Sequence, residues 1–181
     1  MKVLVACEFS GVVRDAFAAR GHDAWSCDLL PTERPGNHLQ CDVRTVLSDG
    51  WDIMIAHPPC THLAVSGARW FSDKKREQLE ALDFVRDLFD APIPLKCVEN
   101  PVSIISTRIM RPTQTVQPWQ FGHGEVKRTC LWLFGLPKLV PTNIVSGREQ
   151  RILSLGWSPE RHKLRSKTYS GIALAMAEQW G

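Results

Sequence analysis

The sequence predicts an α/β fold, a mostly parallel twisted sheet with helices on both faces, and three observations carry that prediction. Short β-prone apolar runs alternate along the chain with segments whose apolar residues recur at helical spacing. The longest of these runs, Lys2 to Ala6 and Asp52 to Ala56, are the length of strands. The whole chain, 181 residues of which 44% are hydrophobic, can bury one substantial core, so a single domain over 1–181 is expected.

Lys2 to Cys7 is the first strand, and Ser10 to Arg20 is the first helix, with Val12, Val13, Ala16, Phe17 and Ala19 spaced along it before Gly21. A second strand covers His22 to Cys27 and leads into the acid Asp28. A loop rich in Pro and Gly (31–36) follows, then a short segment ending at Cys41-Asp42-Val43. Trp51 to Ala56 reads as a buried strand stopped by Pro58-Pro59, because proline offers no ladder donor. From Ser72 as N-cap to Phe89, a stripe of Leu79, Leu82, Phe84, Val85, Leu88 and Phe89 beside a charged face predicts the clearest helix. Pro94 to Glu99 and Arg128 to Phe134 are later strands, and a last helix runs from about Gly171 to Trp180.

Composition narrows the classes. No apolar run approaches the roughly 20 residues of a membrane-spanning helix, and the N-terminus opens on a strand and not on a secretory signal, so a cytosolic protein is expected. The six cysteines are dispersed with no Cys-x-x-Cys pair, unlike a disulfide framework or zinc ribbon, and five read as buried fillers. A net charge of +3 mildly favours a polyanionic partner and decides nothing.

The residues with chemical potential fall at predicted strand ends, the edge where parallel sheets bind ligands. In the first turn, Phe9-Ser10-Gly11 pairs a small residue with a glycine ahead of a helix N-terminus, a place for an adenosine-bearing group or simply a turn. Asp28 stands where a carboxylate accepts from ribose hydroxyls, and Asp42 where one could accept from an adenine amine; capping a loop or helix is the alternative for each. His57-Pro58-Pro59-Cys60-Thr61-His62 sets a thiol on a rigid turn. A metal held by His57, Cys60 and His62 is disfavoured by the prolines and the lack of further ligands, so none is expected. Glu99-Asn100-Pro101 ends the next strand, within reach of the Cys60 loop.

In this order, these motifs resemble the S-adenosylmethionine-dependent DNA cytosine carbon-5 methyltransferases. Pro58-Pro59-Cys60 is similar to that family's Pro-Pro-Cys nucleophile motif, and Glu99-Asn100 to its Glu-Asn motif, whose glutamate holds the cytosine ring. Lys127-Arg128-Thr129 resembles the arginine-bearing segment that completes the base and phosphate site, and Ser170-Gly171-Ile172-Ala173 the closing motif that returns to the cofactor pocket. These last two depart from the family's usual Gln-x-Arg-x-Arg and Gly-Asn patterns.

The resemblance implies a Rossmann-like methyltransferase domain. Cys60, Glu99 and Arg128 would be catalytic, while Phe9, Ser10, Gly11, Asp28, Asp42, Pro58 and Gly171 would hold S-adenosylmethionine. Pro59, Asn100, Ser66 and Lys127 would face the substrate, which is DNA, duplex or single-stranded, or a cytosine nucleotide. Cys60 would add to ring carbon 6 as a thiolate, favoured by Lys127 or Arg128, with Asn100 shaping the loop. The loop from Thr61 to Phe71, with Ser66, Gly67 and Arg69, is the candidate for flipping a base from a duplex; Trp70 and Phe71 either stack there or belong to the core.

Members of that family carry a target-recognition domain where this chain has only a short basic segment, 135–169, with Arg148, Arg151, Arg161, Lys163, Arg165 and Lys167. That segment suits phosphate contacts with little base readout, or is simply a solvated face. Free cytosine nucleotides as substrate, or a catalytically silent nucleic-acid-binding module, are the alternative readings. A monomer or weak homodimer is expected.

Overall fold

A computed structural model describes residues 1–150 and 165–181, with residues 69–72 described through their backbone alone. The strands are β1 (Lys2–Ala6), β2 (Asp23–Asp28), β3 (His38–Gln40), β4 (Ile53–Ala56), β5 (Leu95–Pro101), β6 (Gln114–Val116) and β7 (Thr129–Phe134). The helices are α1 (Val12–Ala18), α2 (Lys75–Asp90), the single-turn α3 (Ile105–Arg108) and α4 (Ser170–Trp180). Together the strands form one seven-stranded sheet in the order β3-β2-β1-β4-β5-β7-β6. All neighbouring pairs from β3 across to β5 are parallel, and β7 runs against both β5 and β6.

The two-residue period of the strands divides the core into two layers. Val3 and Val5 of β1, with Ile53 and Ile55 of β4, face a layer closed by Phe17 of α1 and by Ile172, Met176 and Trp180 of α4. Leu4, Met54, Val98 and Trp132 point the other way, against Leu82, Val85, Leu88 and Phe89 of α2. Strands buried on both faces explain why their sequences read as continuous apolar runs and not as alternating ones.

Three expectations are corrected. The second major helix does not begin at Ser72. Residues Val65–Asp73 wind as a 3₁₀ segment, held by Val65 N–H to the Val102 carbonyl and Gly67 N–H to the Ala64 carbonyl, and α2 starts at Lys75 with Lys74 at its N-cap and no side-chain cap bond. Leu79, expected in the apolar stripe, is 61% exposed, because the buried stripe begins one turn later at Leu82. Of the five cysteines read as fillers, Cys27, Cys97 and Cys130 are buried, whereas Cys7 and Cys41 are half-buried and line a cleft. No described helix is long and apolar enough to cross a membrane.

Candidate active site

The order reverses between β1 and β4, since β2 and β3 lie to one side of β1 and β4 and β5 to the other. A crevice opens at the carboxyl ends of the strands at such a point. Register determines what meets there. Ala6 is opposite Ala56, and Ala56 is opposite Val98, so the next residues, His57 and Glu99, emerge side by side. The His57 N–H continues the ladder to the Ala6 carbonyl, and its ring Nδ1 lies 2.8 Å from Glu99 Oε2. Both side chains are nearly enclosed, at 8% and 12% exposed. Burial works to raise the Glu99 titration, but the His57 hydrogen bond and charge, helped by Lys127, outweigh it and hold the carboxyl below its ordinary range.

Asn100, the next residue on β5, is 1% exposed and donates from Nδ2 to the Pro58 carbonyl at 2.8 Å. It ties the strand end to the proline turn, which suits a loop-shaping residue more than a substrate contact. Pro58 is buried at this tie, while Pro59 is exposed and lines the larger cleft. Cys60 follows at the head of a tight turn, its carbonyl accepting from Leu63 N–H at 3.0 Å and Ala64 N–H at 2.9 Å. The residue is exposed. Desolvation by the surrounding protein raises the thiol's titration and the Glu99 charge adds to it, while Arg165 and Lys127 pull it back. Thiol and carboxylate thus lie within electrostatic reach of one another.

Lys127 is the cation whose charge reaches both Cys60 and Glu99. Its ammonium donates to the Arg165 carbonyl at 2.8 Å, which ties residues 165–167 to the start of β7. Arg128 is exposed, and its charge is registered at Cys130. Of this pair of expected cations, Lys127 is the one whose charge acts at the Cys60 thiol.

The turn after β1 is built around a residue the sequence pattern did not single out. Glu8, 4% exposed, accepts from the Val13 N–H at 2.7 Å and the Arg14 N–H at 3.2 Å, and Ser10 Oγ donates to it at 3.1 Å. An internal carboxylate therefore fills the positive end of α1. Gly11 is the N-cap at φ 72°, and a Cβ there would lie 2.6 Å from Arg14 Nη2. Arg14, 1% exposed, fans its donors to Asp15, Ser26, Thr32 and the carbonyls of Arg34 and Pro35, and so anchors the loop over 29–37. Nothing in its helical position announces this role.

Two clefts flank Cys7. The larger, about 240 Å³, is lined by Cys7, Cys27, Asp28, Leu29, Cys41, Asp42, Val43, Arg44, Pro59 and Phe84. Asp28 Oδ1 accepts from the Leu30 N–H, and Asp42 caps a 3₁₀ turn while its two oxygens receive the Arg44 guanidinium. Both acids therefore line the cleft and cap local structure at once. The smaller cleft, about 30 Å³, lies among Cys7, Glu8, Phe9, Ser10, His57 and residues 166–168.

Gly171 touches neither cleft. It packs so closely on Phe121 that a Cβ would fall 1.8 Å from that carbonyl oxygen, and its N–H donates to His123 Nε2 at 3.0 Å. The residues just before α4, Ser166 to Thr168, reach the cleft instead. Ser66 is exposed within the 3₁₀ segment. Arg151, Arg161 and Lys163 lie outside the described residues, as do the side chains of Arg69, Trp70 and Phe71. Among the described residues, no cluster of His, Cys, Asp or Glu could hold a metal ion.

No family model and no curated protein matches the chain. A solved structure, described as a DNA modification methyltransferase encoded within an E. coli prophage, is similar over 80% of this chain with a TM-score of 0.50 and 18% identity. The present chain spans about half, 51%, of that structure's length. At that identity the likeness speaks to the fold alone, a mostly parallel α/β sheet.

Proposed function

We propose that this protein transfers a methyl group from S-adenosylmethionine to carbon 5 of cytosine in DNA, through a covalent bond between Cys60 and ring carbon 6. The observation that carries the reading is the register that sets Glu99 beside His57 at the head of the turn bearing Cys60, next to a cleft with two acids. The similarity in fold to a protein described as a DNA modification methyltransferase supports it.

The larger cleft suits an adenosyl group. Phe84, Leu29, Val43 and Pro59 offer apolar walls for a base, and Asp28 and Asp42 offer acceptors for ribose hydroxyls and an amine. Phe9 and Ser10, with Gly11 fixing their turn, border the smaller cleft and would take the amino-acid end. When bound, the cofactor supplies an electrophilic methyl group.

The chain's own groups do the rest. Lys127 and Arg165 favour the thiolate of Cys60, the nucleophilic form. Glu99, oriented by His57, would accept from the exocyclic amine and pass a proton to ring nitrogen 3, a pattern that fits cytosine and disfavours uracil. Addition at carbon 6 then makes carbon 5 nucleophilic. Arg128, Lys167 and Arg148, all on the described surface, would meet backbone phosphates.

An oligonucleotide containing 5-fluorocytosine tests the reading, since fluorine at carbon 5 blocks release of the enzyme. The native protein with cofactor should form a stable adduct and Cys60→Ser should form none; an adduct surviving that substitution overturns the assignment. Labelled cofactor offered with duplex DNA, single-stranded DNA or dCMP identifies the substrate, and label in dCMP alone would replace DNA with the free nucleotide.

A further inference from the structure

We propose that His57 holds the proton that Glu99 passes to ring nitrogen 3 of cytosine, and takes it back when Cys60 departs. The inference rests on the cytosine reading above.

The geometry is a relay of two buried groups. Nδ1 of His57 meets Glu99 Oε2 at 2.8 Å, and the other ring nitrogen, Nε2, is buried with no hydrogen-bond partner among the described residues. His57 also lines the smaller cleft, so one end of the ring is committed to Glu99 and the other is left uncommitted. The groups facing it are Glu8 and Cys7 from the turn after β1, Glu99 from β5, and Lys167 across the small cleft, with Lys127 beside Glu99 and Cys60 on its own turn. A carboxyl held below its ordinary range carries no proton of its own at neutral pH, yet nitrogen 3 must gain one as the thiolate adds. His57 is the neighbour hydrogen-bonded to that carboxylate and able to supply it.

The step balances. The Cys60 Sγ–C6 bond forms, the ring electrons shift toward nitrogen 3, and nitrogen 3 takes a proton from Glu99 as Glu99 takes the Nδ1 proton of the imidazolium. Carbon 5 then bonds the methyl carbon as the cofactor's S–CH3 bond breaks with its electron pair on sulfur, which leaves as the neutral thioether, and carbon 5 gives up its proton to water. The Sγ–C6 bond breaks with its electron pair on sulfur, and nitrogen 3 returns its proton through Glu99 to Nδ1.

Single-turnover adduct formation with the 5-fluorocytosine oligonucleotide, followed from about pH 5.5 to 9, tests this for the native protein, His57→Asn and His57→Gln. Both amides can donate toward Glu99 and neither can carry the proton. The native rate should fall at high pH as the imidazole deprotonates, at the same midpoint that NMR of the His57 ring reports for the complex. At saturating cofactor, its affinity measured separately for each variant, the variants should lose that limb and react about 10²-fold more slowly. Variants with the native rate and pH profile, or a native limb that does not coincide with the His57 titration, overturn the proposal while leaving the Cys60 chemistry intact. No adduct with the native protein overturns the cytosine reading and this inference together.

Discussion

Lys127 and Glu99 act on the Cys60 sulfur with opposite signs, and the sign of each is testable without substrate. A thiolate is stabilised by the ammonium and opposed by the carboxylate, so Lys127→Met should shift the alkylation profile of Cys60 to higher pH and Glu99→Gln should shift it lower. Mass-resolved labelling with iodoacetamide across pH, read at Cys60 apart from Cys7 and Cys41, measures both; shifts of equal sign would show that these charges do not reach the thiol. Glu99 also makes folding pH-dependent. Its folded titration lies below the unfolded one, so its stabilisation is present above the unfolded carboxyl value of about 4.3 and is lost as pH falls through the folded value. Denaturant unfolding of Glu99→Gln should therefore lose less stability than the native protein between about pH 5 and 3. The positions of Cys60 past β4 and Glu99 near the end of β5 were legible in the sequence because proline pairs and strand-end acids are local signals. The His57–Glu99 contact was not, since it depends on aligning β4 with β5 at Ala56 and Val98, residues about forty positions apart.

At the level of elements, two close fits hold the edge of the sheet in shape. Arg14 leaves α1 to satisfy a loop that has little regular structure of its own, and Arg14→Met would take a buried donor from the hydroxyls of Ser26 and Thr32 and from the carbonyls of Arg34 and Pro35. A loss of about 3 kcal/mol in chemical denaturation is expected, as for a buried charge network losing one member; a loss within the noise would mean the loop is held by other contacts. Gly171→Ala drives a methyl into the Phe121 carbonyl at the start of α4 and should cost about 3 kcal/mol, near the upper end of overpacking, read as a lowered melting temperature. Helix α4 itself was readable within one residue from its composition, and α2 was not readable at its start. Ser72 is a sound capping residue type, but the neighbouring strand-end loop captures the chain through Val65 and Val102 before a helix can begin. The short β6 and α3 carried no pattern because three or four residues are too few to show a period.

For the molecule as a whole, alternating strands and helices were enough to foresee a parallel sheet, while the reversed β7 was not foreseeable, since an apolar run carries no mark of its direction. The segment at 135–169 is short for a reader of base sequence. If the protein methylates DNA, bisulfite sequencing of a mixed-sequence duplex treated with it should show cytosines modified in many contexts, with preference confined to the nearest flanking positions. A fixed motif of four or more bases would show that this chain reads sequence by some other surface. The loop over 29–37 is bolted from beneath by Arg14, and from above Lys167 reaches Glu33 at 2.6 Å with both side chains more than a third exposed. A surface pair of that kind contributes about 0–1 kcal/mol. The shelf beside the first turn therefore rests on a buried network, while the described contact across its top is a weak pair that added salt should loosen first.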